Sequence, residues 1–169
     1  MDFLFRKGTE EDVDTFLRFL DEVKAGMSRK EWLYLDPADT VHSMVKDGIL
    51  EFWFAFREEQ VAAVFSILFP GLHSYNYGYD LGFGQEELLK VVHMDTAAVH
   101  TDFRGHGLQG RMVRMAEQAL DGTGKRILLS TVHPENKFSL NNMLKQGYSI
   151  RKRVGKYGSE RLILQKEIF

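Results

Sequence analysis

The chain has 169 residues, 44% hydrophobic and 27% charged, which suits one compact domain with its own core; 22 basic and 24 acidic side chains leave a formal net charge of -2. That balance gives no basic field to recruit nucleic acid, and the absence of cysteine excludes disulfides, thiolate zinc sites and a cysteine acyl-enzyme. No apolar run approaches the ~18 residues of a membrane span, and the first residues lack a signal-peptide pattern, so a cytoplasmic location off the membrane is expected.

In chain order, Phe3 to Arg6 reads as a short strand, and Thr9-Glu-Glu-Asp12 as a capping box. Behind it Val13, Phe16, Leu17, Leu20 and Val23 recur at helical spacing. Ser28 and Asp39 are placed to cap two further short helices, separated by a turn at Asp36-Pro37. Ile49 to Phe56 and Val61 to Phe69 are β-rich runs around Arg57-Glu-Glu-Gln60, the pattern of a hairpin. Gly71 to Gln85, aromatic and glycine-rich, reads as an irregular excursion. Val91 to Val99 is a strand, and Leu108, Met112, Met115, Ala116, Ala119 and Leu120 form one helical stripe that ends near Gly122 and Gly124. Arg126 to Val132 is the next strand, which makes a βαβ crossover and a parallel pair with Val91 to Val99. Phe138 to Lys145 is a short helix closed by Gly147; Tyr148 to Val154 and Arg161 to Lys166 are two last strands joined across Gly155 to Gly158. Arg151-Lys-Arg153 fits a solvated strand edge.

The most informative stretch lies between the Val99 strand end and the Leu108 stripe. The first amides of a helix have no partner within it, and the dipole places partial positive charge there. Gly105, Gly107 and Gly110 lack Cβ atoms, so a diphosphate can approach the backbone, and Arg104 adds a fixed charge. The spelling Gly105-His-Gly107-Leu-Gln-Gly110 matches the dinucleotide fingerprint. However, five mostly polar residues, His100 to Arg104, separate the strand from the first glycine, and the next strand ends in Ser130-Thr131-Val132 without an acid. A mononucleotide P-loop fails because Arg111 and Met112 stand where lysine and a hydroxyl are required.

Arg104-x-x-Gly107 behind a strand ending at Val99 resembles the acetyl-CoA loop of the GNAT N-acetyltransferase superfamily, whose pattern is Arg/Gln-x-x-Gly-x-Gly/Ala; Gln109 departs at the last position, with Gly110 following. His133-Pro-Glu-Asn136-Lys-Phe-Ser139, followed by Gly147-Tyr148, resembles a second block of that family. The element order β-α-α-β-β-β-α-β-α-β-β is also that of the GNAT fold. The resemblance implies an α/β (α+β) domain over residues 1–169, with a central mixed twisted sheet of about six to seven strands flanked by helices and splayed at strands four and five. It implies an N-acetyltransferase that uses acetyl-CoA as co-substrate on a small primary amine, with no metal, and it allows a homodimer. By position, Arg104, Gly105, His106, Gly107, Leu108, Gln109 and Gly110 take the diphosphate. The Val99 amide faces the thioester oxygen, with Ala97 on the same strand face, and Asn136 and Ser139 contact the pantetheine arm or substrate. Asn136 also suits a plain helix cap, and the two roles are compatible.

Asp95 is the candidate base: it lies four residues before Val99, and apolar neighbours would raise its pKa. His93, on the same alternating face, is the second candidate, and no third ligand makes His93-x-Asp95 a metal site. Where many members carry a general-acid tyrosine, this chain has Met143. Tyr148 or Tyr157 donates instead, or the thiolate leaves unaided. The acceptor walls implied by the resemblance are Gly26 to Asp36, Gly155 to Gly158 and the inserted run Leu72 to Phe83, whose tyrosines and Asp80 would draw a cationic amine. Trp32, Tyr34, Tyr75, Tyr77, Tyr79 and Phe83 are read chiefly as packing. Two alternatives stand beside this reading: a non-catalytic acyl-CoA-binding or sensing module, on the strength of Met143, and a dinucleotide-binding oxidoreductase domain, on the glycine spelling alone.

Overall fold

A computed structural model describes residues 1–169. The strands are β1 Leu4–Lys7, β2 Leu50–Arg57, β3 Gln60–Leu68, β4 Val91–Val99, β5 Ile127–Val132, β6 Ser149–Lys156 and β7 Ser159–Glu167. The α-helices are α1 Val13–Ala25, α2 Ala38–Lys46, α3 Gln85–Leu88, α4 Leu108–Ala119 and α5 Lys137–Lys145. One seven-stranded mixed sheet runs in the order β1-β2-β3-β4-β5-β7-β6. No helix is long and apolar enough to cross a membrane. Two compact units divide the chain, residues 1–67 with 96–113 and residues 68–95 with 114–169, so that the boundaries fall inside β3, β4 and α4.

In the first unit β1 pairs antiparallel with β2, from Leu4 opposite Phe56 to Lys7 opposite Trp53. The expected capping box forms: the Thr9 amide donates to Asp12 at 2.9 Å, and Arg6 holds the same carboxylate at 2.8 and 3.0 Å. The α1 stripe buries Val13, Phe16, Phe19 and Leu20. Its Phe16 ring lies 4.5 Å from that of Phe52, in β2, whose residues Phe52 to Ala55 are all buried. The helix expected behind Ser28 is only a 3-10 turn, Lys30–Trp32, and the cap position of α2 is taken by Pro37, with Asp39 in the first turn. The apolar spacing after Ser28 is too short to seat a helical face, so the segment stays irregular.

In the second unit β4 pairs parallel with β5 through Val91–Ile127, Val92–Leu128 and His93–Leu129, as the crossover requires. The ladder then stops although β4 and β5 both run on. This is the splay at strands four and five. β7 pairs antiparallel with both β5 and β6, which leaves β6 as the exposed sheet edge carrying Arg151, Lys152 and Arg153. The β6–β7 connection is tighter than the expected Gly155 to Gly158 loop. Only Tyr157 and Gly158 lie outside the strands, both left-handed at φ 58° and 78°, which matches the strand twist of a two-residue hairpin.

The run 71–85 is more ordered than an excursion. It holds a 3-10 turn at Tyr77–Tyr79 and leads into α3. Buried Asn76 organises it: its amide nitrogen donates to the carbonyls of Gly71 (2.8 Å) and Leu88 (3.2 Å), and its oxygen accepts from the Gly78 amide at 2.8 Å. The run covers one sheet face, where Tyr77 joins Val91, Ile127, Leu129 and Ile163 in a core cluster flanked by Leu81, Phe83 and Val154.

Candidate functional site

Each compact unit contributes one group of residues of functional interest. In the first, β4 ends at Val99, and the His100 amide donates to the Ala62 carbonyl at 2.8 Å. Ala97 and Val99 are half-buried. A short turn, Thr101–Phe103, then delivers the chain to Arg104, which is exposed. Gly105 and Gly107 are left-handed, at φ 83° and 68°, and an added Cβ at either would meet nothing within 4 Å. Their backbone therefore faces open space in a conformation that side-chain-bearing residues resist. Leu108 anchors the start of α4 in the core, and the Arg111 amide closes onto the Gly107 carbonyl at 3.0 Å. The amides of Leu108 and Gly110 precede that bond, in the first turn of α4 where the helix supplies no acceptor. Gly110 is buried, so Gly105 and Gly107 are the glycines whose backbone is exposed. The N-terminal segment braces the loop: the Phe3 ring is 5.7 Å from that of His106 and 6.0 Å from that of Phe103, and the Arg111 guanidinium lies 4.6 Å over Phe5. An exposed left-handed glycine turn, a helix start and two exposed cationic side chains make a fitting cradle for a diphosphate.

In the second unit the polar residues gather where β4 and β5 part. The Ser130 hydroxyl donates to the Met94 carbonyl at 3.0 Å, satisfying a backbone acceptor that the parallel ladder abandons. Sequence reading missed this role of Ser130, whose only signal was a hydroxyl within an apolar strand. His93 is 3% exposed, its ring stacked on Tyr77 at 3.9 Å and 11°. Its Nε2 accepts the Tyr77 amide at 3.1 Å. Burial, with a smaller push from Lys156, lowers its pKa to about 3. The expectation of His93 as a base is corrected accordingly: its lone pair is occupied, and at neutral pH it is a neutral support for Tyr77. Asp95, one step further along the same face, lies beyond the last paired rung and is half-buried.

Tyr77 is 6% exposed, and its phenol shares a hydrogen bond with that of Tyr157 from the β6–β7 turn. Asp80 does not stand free for a cation. Lys156 pairs with its carboxylate at 2.9 Å, and Lys152 donates to its carbonyl at 2.9 Å. Two of the three expected acceptor walls, Leu72 to Phe83 and Gly155 to Gly158, are thus clasped together. No spacing rule could find this pairing, because the partners are far apart in sequence.

The remaining site residues have plain structural engagements. The Asn136 oxygen accepts the Ser139 amide at 3.3 Å and so caps α5, and both residues are half-exposed. Met143, at the usual tyrosine position, is buried core. The Tyr148 phenol donates to Glu117 at 3.0 Å, and Lys166 holds that carboxylate at 3.0 Å. Burial and the Glu117 charge push the Tyr148 pKa far up, so its proton is committed and Tyr148 is a packing anchor, contrary to its expected part as an acid.

No protein-family model and no curated protein sequence matches the chain. Solved structures match it over nearly its full length. A GNAT-family acetyltransferase from Streptococcus pneumoniae superposes at TM-score 0.75 with 15% identity, covering 99% of this chain and 100% of that one. The ribosomal-protein-alanine N-acetyltransferase of Brucella melitensis gives 0.72 and 18%, covering 98% and 99%. Arabidopsis thaliana NAA60, crystallised with acetyl-CoA, gives 0.78 and 10%, covering 99% of each chain. The chain therefore has the fold of the GNAT acetyltransferases, with its sheet opened between β4 and β5.

Proposed function

We propose that this chain is an N-acetyltransferase of the GNAT superfamily that moves an acetyl group from acetyl-CoA to a small primary amine. The observation that carries the reading is the early end of the β4–β5 ladder after His93, on a strand that continues into the glycine loop. Neighbours of the same fold include one crystallised with acetyl-CoA. In this reading the exposed backbone from Arg104 to Gly107 and the first amides of α4 hold the diphosphate. The Val99 amide polarises the thioester carbonyl, and Asn136 and Ser139 flank the pantetheine arm. Acetyl-CoA supplies the activated acetyl group. Asp95 accepts the proton of the attacking amine. A thiolate is a weak enough base to leave without a dedicated acid, consistent with Met143 in the core. Support for a small acceptor comes from the clasp of the insertion on the β6–β7 turn through Tyr77–Tyr157 and Asp80–Lys156.

The test is CoA-thiol release from acetyl-CoA against polyamines, amino acids, aminoglycosides and peptides. Turnover of small amines in preference to peptides is expected, and release with peptides alone would refute the acceptor assignment. The buried Met143 favours one other reading, a module that binds acyl-CoA without turning it over. Tight acetyl-CoA binding with no thiol release across the whole panel would select it.

A further inference from the structure

An amine acetyltransferase must discard one proton per turnover, and the base that takes it must be reset. Three placements bear on where that proton goes. Tyr77 lies flat on His93, and Asp95 is the next residue on the same face of β4. The Asp95 charge bears on the Tyr77 phenol, which stands beside Thr131 of β5. From there the Tyr77 phenol is hydrogen-bonded to Tyr157, which is 42% exposed. A buried hydroxyl beside the divergence of the strands is thus linked by one step to solvent.

We propose that Tyr77 and Tyr157 form a proton path that returns Asp95 to its carboxylate form after each turnover. The inference rests on Asp95 as the base. The amine N–H bond breaks as an O–H bond forms on Asp95. The Tyr77 oxygen takes that proton while releasing its own to the Tyr157 oxygen, and the Tyr157 proton passes to water. Both phenols end neutral, and no electron pair changes owner beyond the O–H bonds exchanged. The charged groups facing the pair suit this role. Lys156 lies 5.4 Å over the Tyr77 ring and Arg161 5.7 Å over the Tyr157 ring, so fleeting negative charge on either oxygen is stabilised, while Asp80 neutralises Lys156 from the far side. Burial first, then Tyr157 and Asp95, keep the Tyr77 phenol protonated at rest, so it relays a proton and does not trap one.

The experiment measures kcat for acetyl-CoA with the panel amine of highest turnover, in dilute buffer and with rising imidazole, against enzyme-free blanks. Parent, Tyr157→Phe, Tyr77→Phe and Asp95→Asn are compared. Tyr157→Phe is expected to lose at least about tenfold in kcat with the KM for acetyl-CoA unchanged, and imidazole should restore the rate by carrying the proton instead. Tyr77→Phe should behave alike, and the parent should ignore the buffer. An undiminished rate in Tyr157→Phe, or a loss that imidazole does not restore, overturns the path and leaves the pair as a packing clasp. Parental turnover by Asp95→Asn overturns the base assignment, and the path with it. A slow Asp95→Asn beside an unrestored Tyr157→Phe overturns the path alone. A parent that turns over no amine overturns both.

Discussion

Asp95 stands in the middle of β4, one step along its face beyond the last rung shared with β5, where the Ser130 hydroxyl closes the ladder. Asp95→Asn keeps the shape and removes the basicity. A drop of ~10²–10⁴-fold in acetyl transfer is expected, with acetyl-CoA affinity nearly unchanged; steady-state kinetics against both substrates checks it. Gly107→Val places a β-branched side chain at φ 68°, in the open face of the loop. The variant is expected to stay folded, at a cost of ~1–3 kcal/mol, and to lose the rise in melting temperature that acetyl-CoA gives the parent. His93 makes a prediction about pH. It is neutral when folded down to about 3, whereas its ordinary value is 6.5, so between those limits the unfolded chain binds the extra proton. Stability should fall as pH drops from 6.5 toward 3, by up to ~1.4 kcal/mol per pH unit from this residue, and His93→Gln should flatten that slope in urea denaturation. The glycine loop was legible in the sequence because its chemistry is local: a few consecutive residues fix both conformation and charge. The Tyr77–His93 stack and the Tyr77–Tyr157 bond were not, since β alternation gives the face of His93 but nothing local says which distant ring covers it.

The elements most visible in the sequence are those whose side chains serve one face. β4 was read at its observed limits, and the α4 stripe of Leu108, Met112 and Ala116 is buried as expected. The region after α1 was read less well, because Ser28 is a fair cap signal but no apolar periodicity follows to hold a helix there. The hairpin between β6 and β7 was read two residues too wide. Its strands are held by the left-handed pair Tyr157-Gly158, and glycine at 155 is part of β6. Gly158→Val should therefore destabilise the protein by ~1–2 kcal/mol and loosen the Tyr77–Tyr157 bond, whereas Gly155→Ala should cost little; thermal melting of the two variants checks this. At the start of α5, Asn136→Ala removes the cap to Ser139 and should cost ~1 kcal/mol whether or not Asn136 also touches ligand. Comparing that loss with the change in acetyl-CoA affinity separates the two roles.

At the scale of the molecule, the βαβ crossover made the parallel β4–β5 pair legible, whereas the splay followed only from the family resemblance. What the chain acetylates was not legible, since acceptor recognition depends on segments that meet only in the folded state. The insertion 72–83 shows this directly: its Asp80 was expected to draw a cation and is instead paired with Lys156. The proposed reaction is acetyl transfer from acetyl-CoA to a small amine with Asp95 as base. Its most direct test is CoA-thiol release by the parent and by Asp95→Asn across the amine panel. Release with at least one small primary amine is expected, with an acetylated amine product in equal amount and a fall of ~10²–10⁴-fold in the variant. Release at the same rate in both proteins, or acetyl-CoA binding without release for any amine, would contradict it.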